Sequence, residues 1–333
     1  MSDRRAILLI NTGSPTSLEV KAVRRYLADF LTDKRVISLP KWIRIPLVKG
    51  IIAPFRAASS RDKYALIWEE DGAPLLLRTR ELARKIERES GIPVYVAMRY
   101  NKGSMAEALE QITLDGRADE VVAVPLFPHY AMSSYESALD HALSVYRKGE
   151  YPFRLKCVAP YYNHPLYIEA VAERVEQTVT QERLEGKQLI FSYHGIPISQ
   201  TKPYRGNKDK DYESQCIEAT RLVMNHPRVK ALGLSEEIAY QSKFGTNKWL
   251  SPTLEQRLSA LPKEGKNRVA VVCPSFVCDC LETSWEIGID LKDKFEGERL
   301  TLVPCPNDST PMARAIINQV MESTDDIEMW TQP

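Results

Sequence analysis

One imidazole and a short run of carboxylates carry most of the chemistry this sequence offers. His194 follows Ile190-Phe191-Ser192-Tyr193 and precedes Gly195-Ile196-Pro197, a turn that stops a strand and leaves the ring at its rim. In open α/β sheets ligands gather at the carboxyl ends of strands, and a neutral imidazole there can take a proton or ligate a metal; a lone structural histidine is the plain alternative. Farther on, Pro274-Ser275-Phe276-Val277-Cys278-Asp279-Cys280-Leu281-Glu282-Thr283-Ser284-Trp285-Glu286 passes from an apolar run into a helix. If that helix starts near Asp279, then Asp279, Glu282, Glu286 and Asp290 share one face. Like charges so spaced cost about 0.2–0.5 kcal/mol per pair, so a solvated helix would gain from interspersed lysines. N-capping and the helix dipole account for Asp279 and Glu282 but do not reach Glu286 or Asp290. The face is therefore either a merely acidic surface or a route for divalent cations. Nitrogen and oxygen donors of this kind suit a ferrous ion that must be released again.

Other chemistries find less support. There is no Gly-x-Gly-x-x-Gly or Walker loop; Asn11-Thr12-Gly13-Ser14-Pro15 follows a strand, but one glycine is a poor phosphate cradle. Ser192 and Ser242 lack the Gly-x-Ser-x-Gly context of a serine hydrolase. Cys273, Cys278 and Cys280 have no standard zinc spacing, and all six cysteines read as free thiols in a chain too large to need disulfide staples. With 45 Lys plus Arg against 44 Asp plus Glu, no global field favours nucleic acid as a partner. The N-terminus runs at once into the short apolar segment Ala6–Ile10, too short for a signal peptide or a membrane span, so a cytoplasmic protein is expected.

Short apolar runs alternate with amphipathic stretches throughout, the pattern of parallel sheets covered by helices. Strands are predicted at Ala6–Asn11, Pro93–Met98, Glu120–Phe127, Phe153–Val158, Gln188–Tyr193, Ala231–Leu234, Arg268–Cys273 and Leu300–Val303. The 333 residues suit two domains, and a break falls at Ala159-Pro160-Tyr161-Tyr162-Asn163-His164-Pro165. The expected division is residues 1–159, 160–310, and a C-terminal helix within 311–333 that packs back on the first lobe. The halves echo one another: Val122-Ala123-Val124-Pro125-Leu126-Phe127 precedes Tyr135-Glu136, and Val271-Val272-Cys273-Pro274-Ser275-Phe276 precedes Trp285-Glu286. Residues 202–213 read as a mobile loop and 323–333 as a frayed tail. In residues 40–61, Trp42, Ile51 and Phe55 are interleaved with Lys41, Arg44, Lys49 and Arg56, which fits a surface lip or an amphipathic helix pair packed on the core.

Taken together, blocks along almost the whole chain resemble the ferrochelatase family. They are Leu8–Pro15, Val23–Leu27, Phe30–Asp33, Ile67–Leu76, Ala97–Tyr100, Pro125–Tyr130, Ser192–Pro197, Tyr240–Gly245 and Asp279–Thr283. The resemblance implies two similar Rossmann-like lobes, each a parallel four-stranded sheet flanked by helices, with a porphyrin cleft between them. It implies that His194 and Glu282 face each other across the macrocycle as proton and metal residues. Thr12, Arg56, Tyr64, Arg99, Tyr100, Tyr130, Trp249 and Phe276 would contact the porphyrin, each with core packing as the alternative.

The reaction so implied is insertion of Fe2+ into a free-base porphyrin with loss of two pyrrole protons, in haem biosynthesis, helped by bending the ring toward the transition state. Thr12 stands where the coproporphyrin-using branch often has tyrosine, which favours protoporphyrin IX over coproporphyrin III. No permanently bound cofactor is implied. Iron–sulfur members carry a C-terminal cysteine trio, whereas no cysteine follows Cys305, so no cluster is expected. Another tetrapyrrole chelatase, a dechelatase and a haem or porphyrin carrier are the competing readings. The lip at residues 40–61 would meet a membrane surface or a porphyrin-donating enzyme.

Overall fold

The computed structural model describes residues 4–184, 186–244, 248–322 and 324–331. The chain divides into two compact units. The first comprises Met1–Leu126, Met132–Ala159 and Ile316–Pro333, and the second Phe127–Ala131 and Pro160–Ala315. The division falls inside the C-terminal helix Thr310–Glu322.

In the first unit the parallel strands are β1 (Arg5–Asn11), β2 (Val94–Met98), β3 (Glu120–Pro125) and β4 (Arg154–Cys157), in the order β2-β1-β3-β4. Ala6 through Ile10 are wholly inaccessible, as expected of a strand covered by helices on both faces, which is why it reads as an unbroken apolar run. The sheet gains a fifth member that the sequence reading omitted: Asp325–Asp326 pairs antiparallel with β4. Residues 325–330 of the expected frayed tail are correspondingly in ordered elements. Trp330 is buried against Tyr135, and its indole N–H donates to Asp325 (2.9 Å). One buried aromatic anchors a segment whose polar composition points outward. Ser323, Gln332 and Pro333 lie outside the described residues.

The second unit repeats the topology with β5 (Gln188–His194), β6 (Ser235–Gln241), β7 (Arg268–Val272) and β8 (Arg299–Leu302), ordered β6-β5-β7-β8 and all parallel. Here the strand expected at Ala231–Leu234 is displaced: those residues form a turn and β6 starts at Ser235. As an edge strand, β6 tolerates the polar opening Ser235-Glu236-Glu237, which hid it from a search for apolar runs. The core beneath β7 is Ile190, Leu254, Leu258, Val269, Val271, Ile287 and Leu300. In such an order the carboxyl ends of the first and third strands, β5 and β7, flank the topological switch point where ligands bind.

The segment from 40 to 61 forms the helices Lys41–Leu47 and Ala53–Ala65, joined through a π-helical turn at Val48–Ile52. Val48, Ala53, Ala57 and Tyr64 are buried, whereas Trp42 and Phe55 are nearly fully exposed, at 77% and 79%. Both readings of the segment thus describe one of its faces. No helix among the described residues is long and apolar enough to cross a membrane.

Candidate functional site

His194 is the last residue of β5, at the switch point of the second sheet. Its main chain is held on both sides. The backbone N–H donates to Ser275 Oγ (3.1 Å), and the carbonyl accepts from the Tyr212 hydroxyl (2.8 Å). Gly195 is required by close approach: a Cβ there would lie 2.7 Å from the Gln241 carbonyl, to which its own N–H donates, and 3.3 Å from the Trp249 ring. The imidazole sits edge-on to Phe276, and its Nδ1 is buried without a hydrogen-bond partner among the described residues. Burial depresses its proton affinity, opposed by the nearby Glu282 charge. At neutral pH the ring is therefore an unprotonated base beside a carboxylate.

Glu282 comes from the segment after β7, but the helix bearing it is not the α-helix expected from Asp279. It is a π-helix spanning Leu281–Leu291, preceded by the extended residue Cys280, whose N–H donates to Thr283 Oγ1 (3.0 Å). Such helices are rare and concentrate at functional sites. Asp279 consequently lies outside the helix. Its carboxylate accepts from Thr283 Oγ1 (3.2 Å), Cys305 N–H (3.2 Å) and Asn307 Nδ2 (2.7 Å), so it anchors the loops rather than joining the ridge. Asp290, at the other end, is ion-paired with Lys294 (2.7 Å).

Glu286 is different. Its two oxygens accept from the N–H (2.9 Å) and hydroxyl (2.6 Å) of Ser242, and no lysine or arginine among the described residues pairs with it. Burial raises its carboxyl to about 7, helped by the Glu282 and Glu255 charges and resisted by the Ser242 hydrogen bonds. Among the described residues no group of three or more His, Cys, Asp or Glu is arranged to hold a metal ion. His194, Glu282, Glu286, Asp290 and Asp279 are thus not one cage. The electrostatically coupled set is His194, Glu282 and Glu286.

The other expected contacts scatter in character. Phe276 is half-buried beside His194. Trp249 is buried beside Phe244 with an unpartnered indole nitrogen. Tyr130 is fully buried, its ring edge-on to Tyr204 and under the Lys210 ammonium, and its N–H bonded to Gln215. In the first unit Tyr64 and Tyr100 are likewise buried. Arg99 is held by Asp33 (2.8 Å) and Ser137 (3.0 Å), with Tyr100 bonded to the same Asp33 (3.0 Å). Thr12 is half-buried, with its carbonyl accepting from Tyr100 N–H, and Arg56 is exposed.

Sequence reasoning passed over Ser275, Tyr212, Gln241 and Ser242. The strand-end rule that selected His194 also selects Gln241 and Ser242 once β6 is placed at Ser235–Gln241.

A family model described as Ferrochelatase matches residues 4–324. A relative named Ferrochelatase from Porphyromonas gingivalis is 39% identical over 96% of this chain and 96% of its own. Another from Vibrio cholerae is 35% identical over 91% and 93%. Among solved structures, SirB from Bacillus subtilis with Fe3+ superposes with a TM-score of 0.53 at 14% identity, covering 96% of this chain and 95% of its own. CbiX, described as the terminal enzyme for sirohaem biosynthesis in denitrifying bacteria, gives 0.51 at 11% identity, with coverage of 96% and 99%. At such identities these two speak for the fold alone.

Proposed function

The chain belongs to the ferrochelatase family, and from that premise we propose that it inserts ferrous iron into protoporphyrin IX, releasing two protons, as a step of haem biosynthesis. The observation that carries the reading is the convergence of His194, from the end of β5, and Glu282, from the π-helix after β7, at one switch point, where the carboxylate charge acts on the imidazole.

The chemistry follows from the two environments. His194 is kept neutral by burial, and its Nδ1 has no partner to displace, so it can accept a pyrrole proton without first losing one. Glu282 supplies an anionic oxygen to the incoming ion or to the second proton. Glu286, titrating near neutrality, exchanges a proton for a cation at little cost and passes the ion toward Glu282. Phe276 and Trp249 offer apolar surface for the macrocycle on the His194 side. Protoporphyrin is favoured over coproporphyrin by Thr12, where the coproporphyrin-using branch of the family often has tyrosine.

The test is anaerobic mixing of purified protein with ferrous iron and free-base porphyrin, following loss of the free-base spectrum. His194→Ala is expected to slow metallation about 10²–10⁴-fold. Equal rates for the two proteins would sink the proposal, and a coproporphyrin III arm that outpaces protoporphyrin IX would overturn its substrate.

A further inference from the structure

Two adjacent residues at the end of β6 reach the π-helix without belonging to it. Gln241 is fully buried. Its Oε1 accepts from Ser192 Oγ (2.7 Å) and its Nε2 donates to the Glu282 carbonyl (2.8 Å), so it ties β5 and β6 to the first turn of the helix. Ser242 follows with φ +62°, in the left-handed region. Apart from glycine that region is visited mainly by asparagine and aspartate, and a serine held there is a constraint the surroundings must impose. The conformation has one visible result: the Ser242 N–H and hydroxyl each address a different oxygen of Glu286.

Neutral donors do here what a guanidinium would do more strongly. A carboxylate offers about four lone-pair positions, and Ser242 uses two, leaving one on each oxygen. An arginine would fix the carboxylate equally well but would repel an approaching divalent cation. We propose that Ser242 is a positioning residue for cation delivery, holding the Glu286 carboxylate by two neutral hydrogen bonds so that it can bind a divalent ion and surrender it toward Glu282 and His194. This rests on the reading of Glu286 as a metal ligand given above.

The test uses the full chain and zinc alone as probe, titrated against a competing fluorescent chelator, with metallation kinetics beside it. Ser242→Gly removes the hydroxyl and accepts the left-handed backbone, so its melting temperature is expected to match or exceed that of the wild type. Its zinc affinity is expected to fall about three- to tenfold, the net worth of one ordinary hydrogen bond. In metallation its KM for the metal rises by the same factor, while its KM for porphyrin stays within about twofold of the wild type. Glu286→Gln is expected to weaken zinc binding at least as much, and adding Ser242→Gly to it to change affinity by less than about twofold.

Unchanged zinc affinity in Ser242→Gly overturns the proposal. So does an equal loss on both backgrounds, or wild-type affinity no better than that of Glu286→Gln. A protein that binds zinc in the expected pattern yet metallates no porphyrin keeps this inference and defeats the catalytic reading instead.

Discussion

Glu136 and Glu286 occupy corresponding stations in two sheets of the same topology, and they have been put to opposite uses. Each belongs to a π-helix that follows the third strand of its sheet, Met132–Glu136 after β3 and Leu281–Leu291 after β7. Glu136 is 1% exposed and ion-paired with the equally buried Arg35 (3.0 Å). Among the described residues Glu286 has the neutral Ser242 as its hydrogen-bond donor. The strand ends differ in the same sense. Asn11 closes β1 with its amide bonded to Thr79 (3.0 Å), whereas His194 closes β5 with Nδ1 unpartnered. Arg99, directly after β2, is tied to Asp33; Ser242, directly after β6, is the serine just described. At these three stations the first sheet pairs its polar groups with other residues of its own unit. The other leaves a base and two acids exposed to each other's charge, the arrangement that shifts proton affinities into a useful range.

The largest way to break this contrast is Arg35→Met. Removing the guanidinium that pairs with the buried Glu136 carboxylate is expected to cost about 3–5 kcal/mol of stability, read by denaturant unfolding. A loss under about 1 kcal/mol would mean that Glu136 does not depend on Arg35. A smaller effect, of opposite sign, is expected from Glu286→Gln. The fold lifts this carboxyl from its ordinary 4.5 to about 7, so the native state holds the proton more tightly than the unfolded chain. The group's contribution is intact below pH 4.5 and is lost as pH rises through 7. The glutamine variant should therefore match the wild type at pH 4 and exceed it by about 1–3 kcal/mol at pH 8. A stability difference that does not grow with pH would remove the ionisation argument. Smallest is Ser275→Ala, which takes away the acceptor of the His194 N–H and should cost about 1 kcal/mol. Its metallation rate is expected to fall far less than that of His194→Ala; an equal fall would make Ser275 part of the chemistry.

The sheets were legible in the sequence wherever burial on both faces produces an apolar run, as in Ala6–Ile10 and Leu189–Phe191. The edge strands β2 and β8 were legible too, but the edge strand β6 was not, because it opens on Ser-Glu-Glu and hides among polar residues. That single displacement hid the strand-end position of Gln241 and Ser242, which the sequence offered only as part of the Tyr240–Gly245 block and, for Ser242, as a serine without a hydrolase context. His194 and Glu282 stood out because their residue types are chemical and they follow strand-like runs. The ridge was misread at its start: an α-helical count includes Asp279, whereas the extended Cys280 starts the helix two residues later and π-helical bonding resets the turn. Chemistry carried by ordinary residues such as Ser275 and Tyr212 depends on distances that no spacing in the chain encodes.

The six cysteines, two of them within or beside the site, are all buried. For Cys157, Cys216, Cys273, Cys280 and Cys305 burial pushes the thiol well above its ordinary range. Sulfur enters metal binding and redox chemistry as thiolate. Burial therefore keeps these sulfurs protonated and out of reach. Thiols so placed are poor ligands for a passing metal ion and poor targets for an oxidant, and their reactivity toward thiol reagents becomes a clock for unfolding.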